Sequence, residues 1–298
     1  MDSRDYVCAF TIHGVGDVPA DFDPLPGVAD IAAGLFLPES EPDWFGRRAY
    51  PARILLLTHE SVWVIPHSQA KDPKLFIPLR GLESLECGRI LLLGWIGFRW
   101  GEVHQDLPYN RRCSLTVERF LTALRARWLT AEADQAEVVM PPCRDYGAQL
   151  NEKFEHALET EMIDDDARPL ILFFQPSIRR GRRRFLRCET WSAGDLVLLS
   201  RRRVLWITER RRTAYEPYGT VSHSAPLAAV ADVRYLPAEH NPHLQVRLRS
   251  GAAWRLPVQE GRETEAKSFS DVVTTALGGS RWIELPPVRA ESRSIGRR

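Results

Sequence analysis

The sequence predicts a mainly β (α+β) protein of two tandem units, each a bent antiparallel sheet capped by a C-terminal helix. Three observations predict this class. Two distant segments share one hairpin pattern, the strand patterns that follow them keep the same order, and each half ends in an amphipathic helix. A chain of 298 residues is long enough for about two domains.

The first shared pattern is a β-hairpin. Residues 54–65 read ILLLTHESVWVI, and residues 196–207 read LVLLSRRRVLWI. Each segment is an apolar run, a hydroxyl residue (Thr58 or Ser200), three polar residues and a second apolar run. Two β-rich runs joined by a short polar connector are typical of a hairpin.

Strand patterns of equal order follow both hairpins. FIPLRGLESLEC at 76–87 aligns with SAPLAAVADVRY at 224–235, so that Pro78 corresponds to Pro226. Because order and spacing agree over several landmarks, we predict that the chain contains a duplication. Apolar or alternating patterns predict further strands at 89–100, 170–178, 185–191, 244–248 and 254–258.

Each half is predicted to end in an amphipathic helix, and a short helix is predicted to lead into the second half. The apolar stripe of the first helix is Val117, Phe120, Leu121, Leu124 and Trp128. The stripe of the last helix is Phe269, Val272, Val273 and Ala276. The leading helix at 147–162 has the stripe Leu150, Phe154, Leu158 and Met162.

These patterns give the domain boundaries. The first unit is predicted at 28–130, after an N-terminal strand and turn at 1–27. The polar segment 131–147 is the predicted linker, and the second unit spans 148–279 with its leading helix. The Pro-, Arg- and Ser-containing tail at 280–298 is predicted to be disordered.

Composition predicts a soluble, cytoplasmic protein. The five cysteines are odd in number, widely spaced and without a CxxC pair, so we expect reduced thiols rather than disulfides or a zinc site. Acidic Asp2 and Asp5 stand where a secretion signal would be basic. No apolar run reaches the roughly 18 residues of a membrane span, so we expect no integral membrane segment.

Catalytic and metal-binding signatures are mostly absent. The sequence contains no GxSxG, GxxxxGK[ST] or HExxH motif. FTIHGVGD at 10–17 resembles the strand and His-Gly turn of a lipase-like hydrolase, but without a nucleophile elbow a tight turn is preferred. The HxxH spacing in EHNPH at 239–243 coincides with an Asn-Pro turn signal, and Asp164, Asp165 and Asp166 suit a polar helix exit. We predict no catalytic residue, no metal and no cofactor.

Charge divides the two halves. Residues 1–150 contain 15 basic and 20 acidic side chains, whereas residues 151–298 contain 25 and 19. Twelve arginines fall within residues 179–212, opposed by only three acidic residues. If the predicted strands of this region alternate in direction, the arginines at 179–184 and 201–203 lie at one end of the sheet, and those at 210–212 lie at the other.

The layout resembles the pleckstrin-homology-like (PH-like) fold, in particular the small bacterial PH-like and GRAM-like domains. The resembling segments are 54–65, 76–85 and 115–128, and again 196–207, 226–233 and 269–277. The resemblance implies two bent antiparallel sheets with capping helices. It implies little about function, because the same fold includes lipid-headgroup binders, peptide binders and scaffolds.

The resemblance also implies a binding site. In PH-like domains that bind anionic headgroups, basic residues come from the loop between the first two strands. Arginine pairs bidentately with phosphate, which suits such a site. The predicted anion-binding residues are Arg179, Arg180, Arg182, Arg183 and Arg184, assisted by Arg201, Arg202 and Arg203.

Two functions follow from these predictions. The leading hypothesis is a non-enzymatic protein whose second unit contacts an anionic surface, either membrane headgroups at the inner membrane face or a phosphorylated partner. The alternative is a protein–protein scaffold whose arginines are only solvated and deter sheet-edge pairing. Nucleic acid is the rival anion, but the nearby aromatic residues Trp191, Tyr215 and Tyr218 are equally consistent with core positions.

Overall fold

A computed structural model shows that the chain is mainly β, with open antiparallel sheets and a C-terminal helix. At this level the predicted fold class is confirmed. The structure describes residues 8–22, 30–39, 51–70, 72–90, 93–131, 138, 150–162, 169–180, 190–209, 219–238 and 241–278.

In the first half, the described residues form eight strands and one long helix. These are β1 Phe10–Ile12, β2 Ala33–Leu37, β3 Arg53–Leu57, β4 Ser61–Pro66, β5 Leu75–Pro78, β6 Leu82–Ile90, β7 Leu93–Trp100, β8 Val103–Asn110 and α1 Ser114–Ala131. Strands β1 to β5 pair in sequence order, and β6 to β8 form a second antiparallel set. Strand β3 is buried throughout because Leu55 and Leu57 face the core beneath α1, whereas Ile54 and Leu56 face a smaller cluster on the other side.

The second half contains two helices and nine strands among its described residues. These are α2 Glu152–Glu161, β9 Ile171–Gln175, β10 Ile178–Arg180, β11 Thr190–Ser192, β12 Asp195–Leu199, β13 Arg203–Glu209, β14 Gly219–Pro226, β15 Val230–Leu236, β16 His243–Leu248, β17 Ala253–Pro257 and α3 Glu263–Gly278. Strands β9, β12, β13 and β14 lie side by side, and β15 to β17 form a three-stranded sheet. Strands β10 and β11 pair with each other and form a separate two-stranded sheet among the described residues.

Both halves use the same hydroxyl-closed hairpin turn. Between β3 and β4, Thr58 N donates to Ser61 O at 2.8 Å, and Ser61 N donates to Thr58 Oγ1 at 3.0 Å. Between β12 and β13, Ser200 N donates to Arg203 O at 2.9 Å, and Arg203 N donates to Ser200 Oγ at 3.3 Å. The predicted correspondence of Thr58 with Ser200 therefore extends to their hydrogen bonds.

The helices bury the predicted apolar stripes. All five stripe residues of α1 are buried, as are Phe269 and Val273 of α3. Helix α2 is shorter than predicted because Asn151 caps it: the Asn151 side chain accepts a hydrogen bond from Phe154 N. Phe154 and Leu158 of α2 pack on the face of β12 and β13 opposite the main core of the second half.

The prediction of a single strand at 89–100 is wrong. Strand β6 ends at Ile90, and β7 begins at Leu93 and returns antiparallel, with Ile90 opposite Leu93. Residues 90–96 read ILLLGWI, so the sequence is apolar on both sides of the reversal, and the pattern does not separate one strand from two.

The two halves share one sheet, which the sequence does not predict. Strand β14 pairs with β6, placing Ser222 opposite Cys87, so that seven strands follow the order β8-β7-β6-β14-β13-β12-β9. At the end of this pairing Gly219 has φ +145°, and a Cβ there would lie 2.1 Å from Arg89 O. Only glycine permits so close an approach of the two backbones.

A buried ion cluster lies where the halves meet. Glu161, at the end of α2, is only 2% exposed. Its Oε2 lies 2.7 Å from Nη2 of Arg125 on α1. Its Oε1 accepts a hydrogen bond from Ser222 Oγ at 2.8 Å and lies 3.5 Å from Arg89 Nη2. The carboxylate thus joins elements from both halves of the chain.

Two further charges complete the cluster. Arg89 Nη2 lies 2.7 Å from Glu118 Oε1 on α1, and Arg203 Nη2 donates to the backbone oxygen of Glu161 at 2.5 Å. Burial alone raises the pKa of Glu161, but the charges of the three arginines outweigh it and hold this pKa below its usual range. The carboxylate is therefore ionised across the neutral pH range.

The variant Glu161→Gln tests whether this cluster holds the halves together. We expect the free energy of unfolding to fall by about 3–5 kcal/mol, because arginine charge is left buried without its partner. Chemical denaturation measures this loss. The control is Glu159→Gln on the same helix, whose side chain is 72% exposed and whose loss should be under about 1 kcal/mol. Equal losses in both variants would contradict a role for the cluster.

The stability difference between wild type and Glu161→Gln should depend on pH. Because the pKa of Glu161 is lowered in the folded state, its stabilisation is fully present above the ordinary glutamate pKa of 4.5. It is lost as the pH falls through the lower folded-state value. Denaturation at a series of pH values should give a constant difference near neutrality and a shrinking one in acid. A difference that grows in acid would oppose this assignment.

Candidate functional site: the arginine-bearing hairpin

An extra hairpin interrupts the connection between the first two strands of the second half. The β9–β12 ladder ends where Gln175 pairs with Asp195, and pairing resumes in β10–β11 with Ile178 opposite Ser192. Arg179 and Arg180 belong to β10. The other predicted residues of this group, Arg182, Arg183 and Arg184, lie outside the described residues.

Two short breaks separate the hairpin from the sheet. On one side Pro176 has no N–H to donate to a ladder. On the other side a Cβ at Gly194 would lie 2.9 Å from the Phe154 ring and 3.0 Å from Ser177 N. Glycine therefore allows the two sides of the base to approach each other and α2.

A buried glutamine fixes the base of the hairpin. Gln259 Nε2 donates to the backbone oxygens of Pro176 at 2.6 Å and Ala193 at 3.3 Å, one on each side of the break. Gln259 N donates to Gln175 Oε1 at 3.1 Å, and Gln175 Nε2 donates to Asp195 Oδ2 at 2.9 Å. Because these groups are buried and bonded to one another, they hold the two sides at a set separation.

Glu209 forms a second clamp on the same base. Its Oε2 accepts a hydrogen bond from Gly194 N at 3.1 Å, and its own N donates to Gly194 O at 3.0 Å. Its Oε1 lies 2.8 Å from Nζ of Lys153 on α2. The base of the hairpin is thus held by β13 and by α2 as well as by Gln259.

Asp195 is a buried titratable group within this base. Its Oδ1 accepts a hydrogen bond from Trp206 Nε1 at 3.0 Å. Burial raises the pKa of Asp195, and the hydrogen bonds from Thr208, Gln175 and Trp206 lower it by less. Its bonds to neighbours on β9 and β13 indicate a structural role.

Arg201 and Arg202 do not lie near the hairpin. Strand β12 runs from Asp195, at the hairpin base, to Leu199, and the turn that carries Arg201 and Arg202 follows Leu199. The predicted grouping of 201–203 with 179–184 is therefore wrong. Thr190–Ser192 pairs with β10 and not within the seven-stranded sheet, so the ends of the sheet alternate differently from the predicted order.

Arg203 is buried, contrary to its predicted place in a surface anion site. It is 3% exposed, and its guanidinium donates to Glu161 O and, at 3.4 Å, to Ser224 Oγ. It serves the ion cluster rather than a surface site. Arg210, Arg211 and Arg212 lie outside the described residues, although β13 ends at Glu209, beside the hairpin base.

The N-terminal motif FTIHGVGD forms a strand and a tight turn, as preferred from the sequence. Strand β1 pairs with β2, and a single 3₁₀ turn, Val15–Asp17, follows it. Asp17 Oδ2 accepts a hydrogen bond from His13 N at 2.8 Å, which closes the turn. This bond gives the carboxylate a structural partner.

Two further sequence expectations concern metals and membranes. The part of the chain that the structure describes contains no group of three or more His, Cys, Asp or Glu side chains placed to hold a metal ion. His243 begins β16 with its Nδ1 3.2 Å from Asn241 O, whereas His240 and Asp164 to Asp166 lie outside the described residues. None of the described helices combines the length and apolar character needed to span a membrane.

Comparison with models of known protein families gives no match, and comparison with curated proteins gives none. The protein is therefore classified by its architecture, without reference to a known family. It is a mainly β protein of open antiparallel sheets, in which an arginine-bearing hairpin is built on a buried polar base.

Sequence reasoning missed the residues that position the hairpin. Gln259, Gln175 and Glu209 are isolated polar residues without a motif, so only the fold brings them together. Glu161 did carry a signal. It follows Phe154 by seven residues and Leu158 by three, which puts a carboxylate on the apolar stripe of α2.

The variant Gly194→Ala tests how closely the hairpin base is packed. We expect the free energy of unfolding to fall by about 1–3 kcal/mol, because the new methyl group meets the Phe154 ring and Ser177 N. Urea denaturation gives the value. Gly278→Ala is the control, because a Cβ there meets no atom within 4 Å. An unchanged stability for Gly194→Ala would show that the base is loosely packed.

Proposed function

We propose that the two halves are tandem PH-like units. Four strands, three strands and a C-terminal helix follow one another in β2 to α1 and, apart from the inserted hairpin, in β9 to α3. Pro78 pairs with Ser61, and Pro226 pairs with Arg203, which are equivalent positions in the two turns. The shared seven-stranded sheet and the added strand β1 go beyond the pattern that the resemblance implies.

We further propose that the second unit contacts an anionic surface, namely phosphorylated headgroups of a membrane, through the hairpin at 178–192. One observation carries this proposal. The connection between the first two strands of this unit, where PH-like headgroup binders place basic residues, is a separate hairpin with Arg179 and Arg180 in β10. No enzymatic activity is proposed.

The described contacts support a positioned site. Because Gln259 and Glu209 fix both sides of the base, the entropic cost of ordering the hairpin on binding is smaller. Each arginine near an anionic leaflet contributes about 1 kcal/mol. The five arginines at 179–184 therefore supply about 5 kcal/mol, enough for reversible recruitment.

Arg201 and Arg202, in the turn at the opposite end of the sheet, lie too far from the hairpin to belong to the same binding site. Strand β12 has five residues, so Arg201 and Arg202 lie roughly 16 Å from the hairpin base. Charges are screened over about 8 Å at physiological ionic strength. The attraction between these two arginines and a flat membrane bound at the hairpin is therefore weak. The proposed anion-binding site consists of the hairpin arginines alone.

Vesicle co-sedimentation tests this function. Wild type should pellet with vesicles that contain phosphatidylglycerol, should not pellet with phosphatidylcholine alone, and should be released by salt. Replacing the five hairpin arginines with glutamine should weaken binding at least about tenfold. The substitutions are Arg179→Gln, Arg180→Gln, Arg182→Gln, Arg183→Gln and Arg184→Gln.

The control is the double variant Arg201→Gln with Arg202→Gln, which removes two charges at the other end of the sheet. Its binding should equal that of wild type. Equal pelleting with both kinds of vesicle, or equal loss in the control and hairpin variants, would refute the proposal. A mobility shift with single-stranded nucleic acid that is steeper in salt than vesicle binding would point instead to the rival anion.

A protein-binding scaffold is the second candidate, and one observation favours it. Strand β5 is the last strand of its sheet among the described residues, and Phe76 on it is 51% exposed while packing edge-on against Trp63 at 4.8 Å. An extended peptide can add to such an edge and use the aromatic pair. A partner retained by the hairpin variant but lost by Phe76→Ser would support this candidate.

A further inference from the structure

Two cysteines that are distant in sequence meet beside strand β1. Ala9 N donates a hydrogen bond to Cys113 Sγ at 3.4 Å. Since Ala9 N is two covalent bonds from the Cα of Cys8, that Cα lies within about 6 Å of the Cys113 sulfur. A disulfide normally joins residues whose Cα atoms are about 4.4–6.8 Å apart. The Cα of Cys113 is two bonds from its own sulfur, so a Cα separation in this range is compatible with the limit on the Cys8 Cα, and movement of both side chains brings the thiols into bonding range.

The two thiols differ in access to solvent. Cys8 is exposed, whereas Cys113 is 5% exposed and directly precedes α1. Burial raises the pKa of Cys113, the Ala9 N–H lowers it, and the charge of Cys8 raises it again.

We propose that Cys8 and Cys113 are a modification site, a dithiol that a peroxide converts to an intramolecular disulfide. The exposed Cys8 thiolate attacks one peroxide oxygen, the O–O bond breaks, and Cys8 becomes a sulfenic acid as water leaves. The Cys113 thiol then attacks the Cys8 sulfur, and the hydroxide that leaves takes up the Cys113 proton to form the second water. Two thiols and one hydrogen peroxide thus give one disulfide and two waters.

Another buried cysteine offers a contrast. Cys87 lies in the ion cluster with its sulfur 3.5 Å from Arg125 Nη2, and burial raises its pKa to about 12. A peroxide meets neither an exposed sulfur nor a thiolate there. Among the described cysteines, only Cys8 combines exposure with a neighbouring thiol.

The disulfide would fasten the N-terminal segment to the main core. Residues of this segment, Ile12 and Phe22, cover the outer cluster of the first sheet together with Phe36. A bond between Cys8 and Cys113 closes a loop of more than 100 residues, and long loops gain most from closure. The oxidised chain should therefore unfold at a higher temperature than the reduced chain.

Peroxide treatment of the full chain, followed by alkylation and non-reducing digestion, tests the proposal. We expect a linked peptide pair that contains Cys8 and Cys113, a mass lower by about 2 Da, and a fall from five to three titratable thiols in denaturant. The midpoint of thermal unfolding should rise by about 5 °C or more and return after dithiothreitol.

Cys8→Ser is the informative variant, because the exposed position tolerates it without disturbing the fold. It should keep its four remaining thiols under the same treatment and show no thermal shift. Cys8 recovered as sulfinic acid without a linked peptide, Cys8 linked to a different cysteine, or the same thiol loss in Cys8→Ser would each overturn the proposal.

Discussion

The carboxylate of Glu161 is the point on which the rest of the structure depends. It is buried at the end of α2 and is met by Arg125 from α1, Arg89 from β6 and Ser222 from β14. Removing an isolated charge from water costs several kcal/mol, so the site is stable only if all these partners are in place together. Because the partners come from both halves, the cluster fixes one relative position of α2 and the shared sheet. It also explains why Arg203, at the start of β13, is buried.

The two halves use one framework for different purposes. In each half, the strand that follows the hydroxyl-closed turn lies in a sheet whose two faces are both covered by other parts of the chain. The N-terminal segment covers the outer face in the first half, and α2 covers it in the second. Among the described residues, the second half has a hairpin between its first two strands, and there the polar residues Gln259, Gln175 and Glu209 replace apolar packing at the base. The difference in charge between the halves therefore has a structural counterpart: an arginine-bearing element with a rigid base.

Local patterns predicted much of the fold. The hydroxyl turns at Thr58 and Ser200 and the stripes of α1 and α3 depend on residues close in sequence, so periodicity finds them. The β6–β14 pairing, the hairpin base and the Cys8–Cys113 contact each join residues far apart, and no local pattern encodes such a contact. Of the arginines predicted as a group at 179–184, Arg179 and Arg180 lie in β10, and the other three lie outside the described residues. The prediction misplaced 201–203, because the break at Pro176 and Gly194 changes which end of the sheet each turn occupies.

The pairing of β14 with β6 has a consequence for synthesis on the ribosome. Strand β6 is complete at residue 90, but β14 ends only at residue 226. At about 5–20 residues per second, the edge of β6 waits roughly 7–30 seconds for its partner. During that interval its backbone N–H and C=O groups can pair with another nascent chain. Dense polysomes and slow translation of the second half would therefore be the conditions under which this protein is most prone to misassemble.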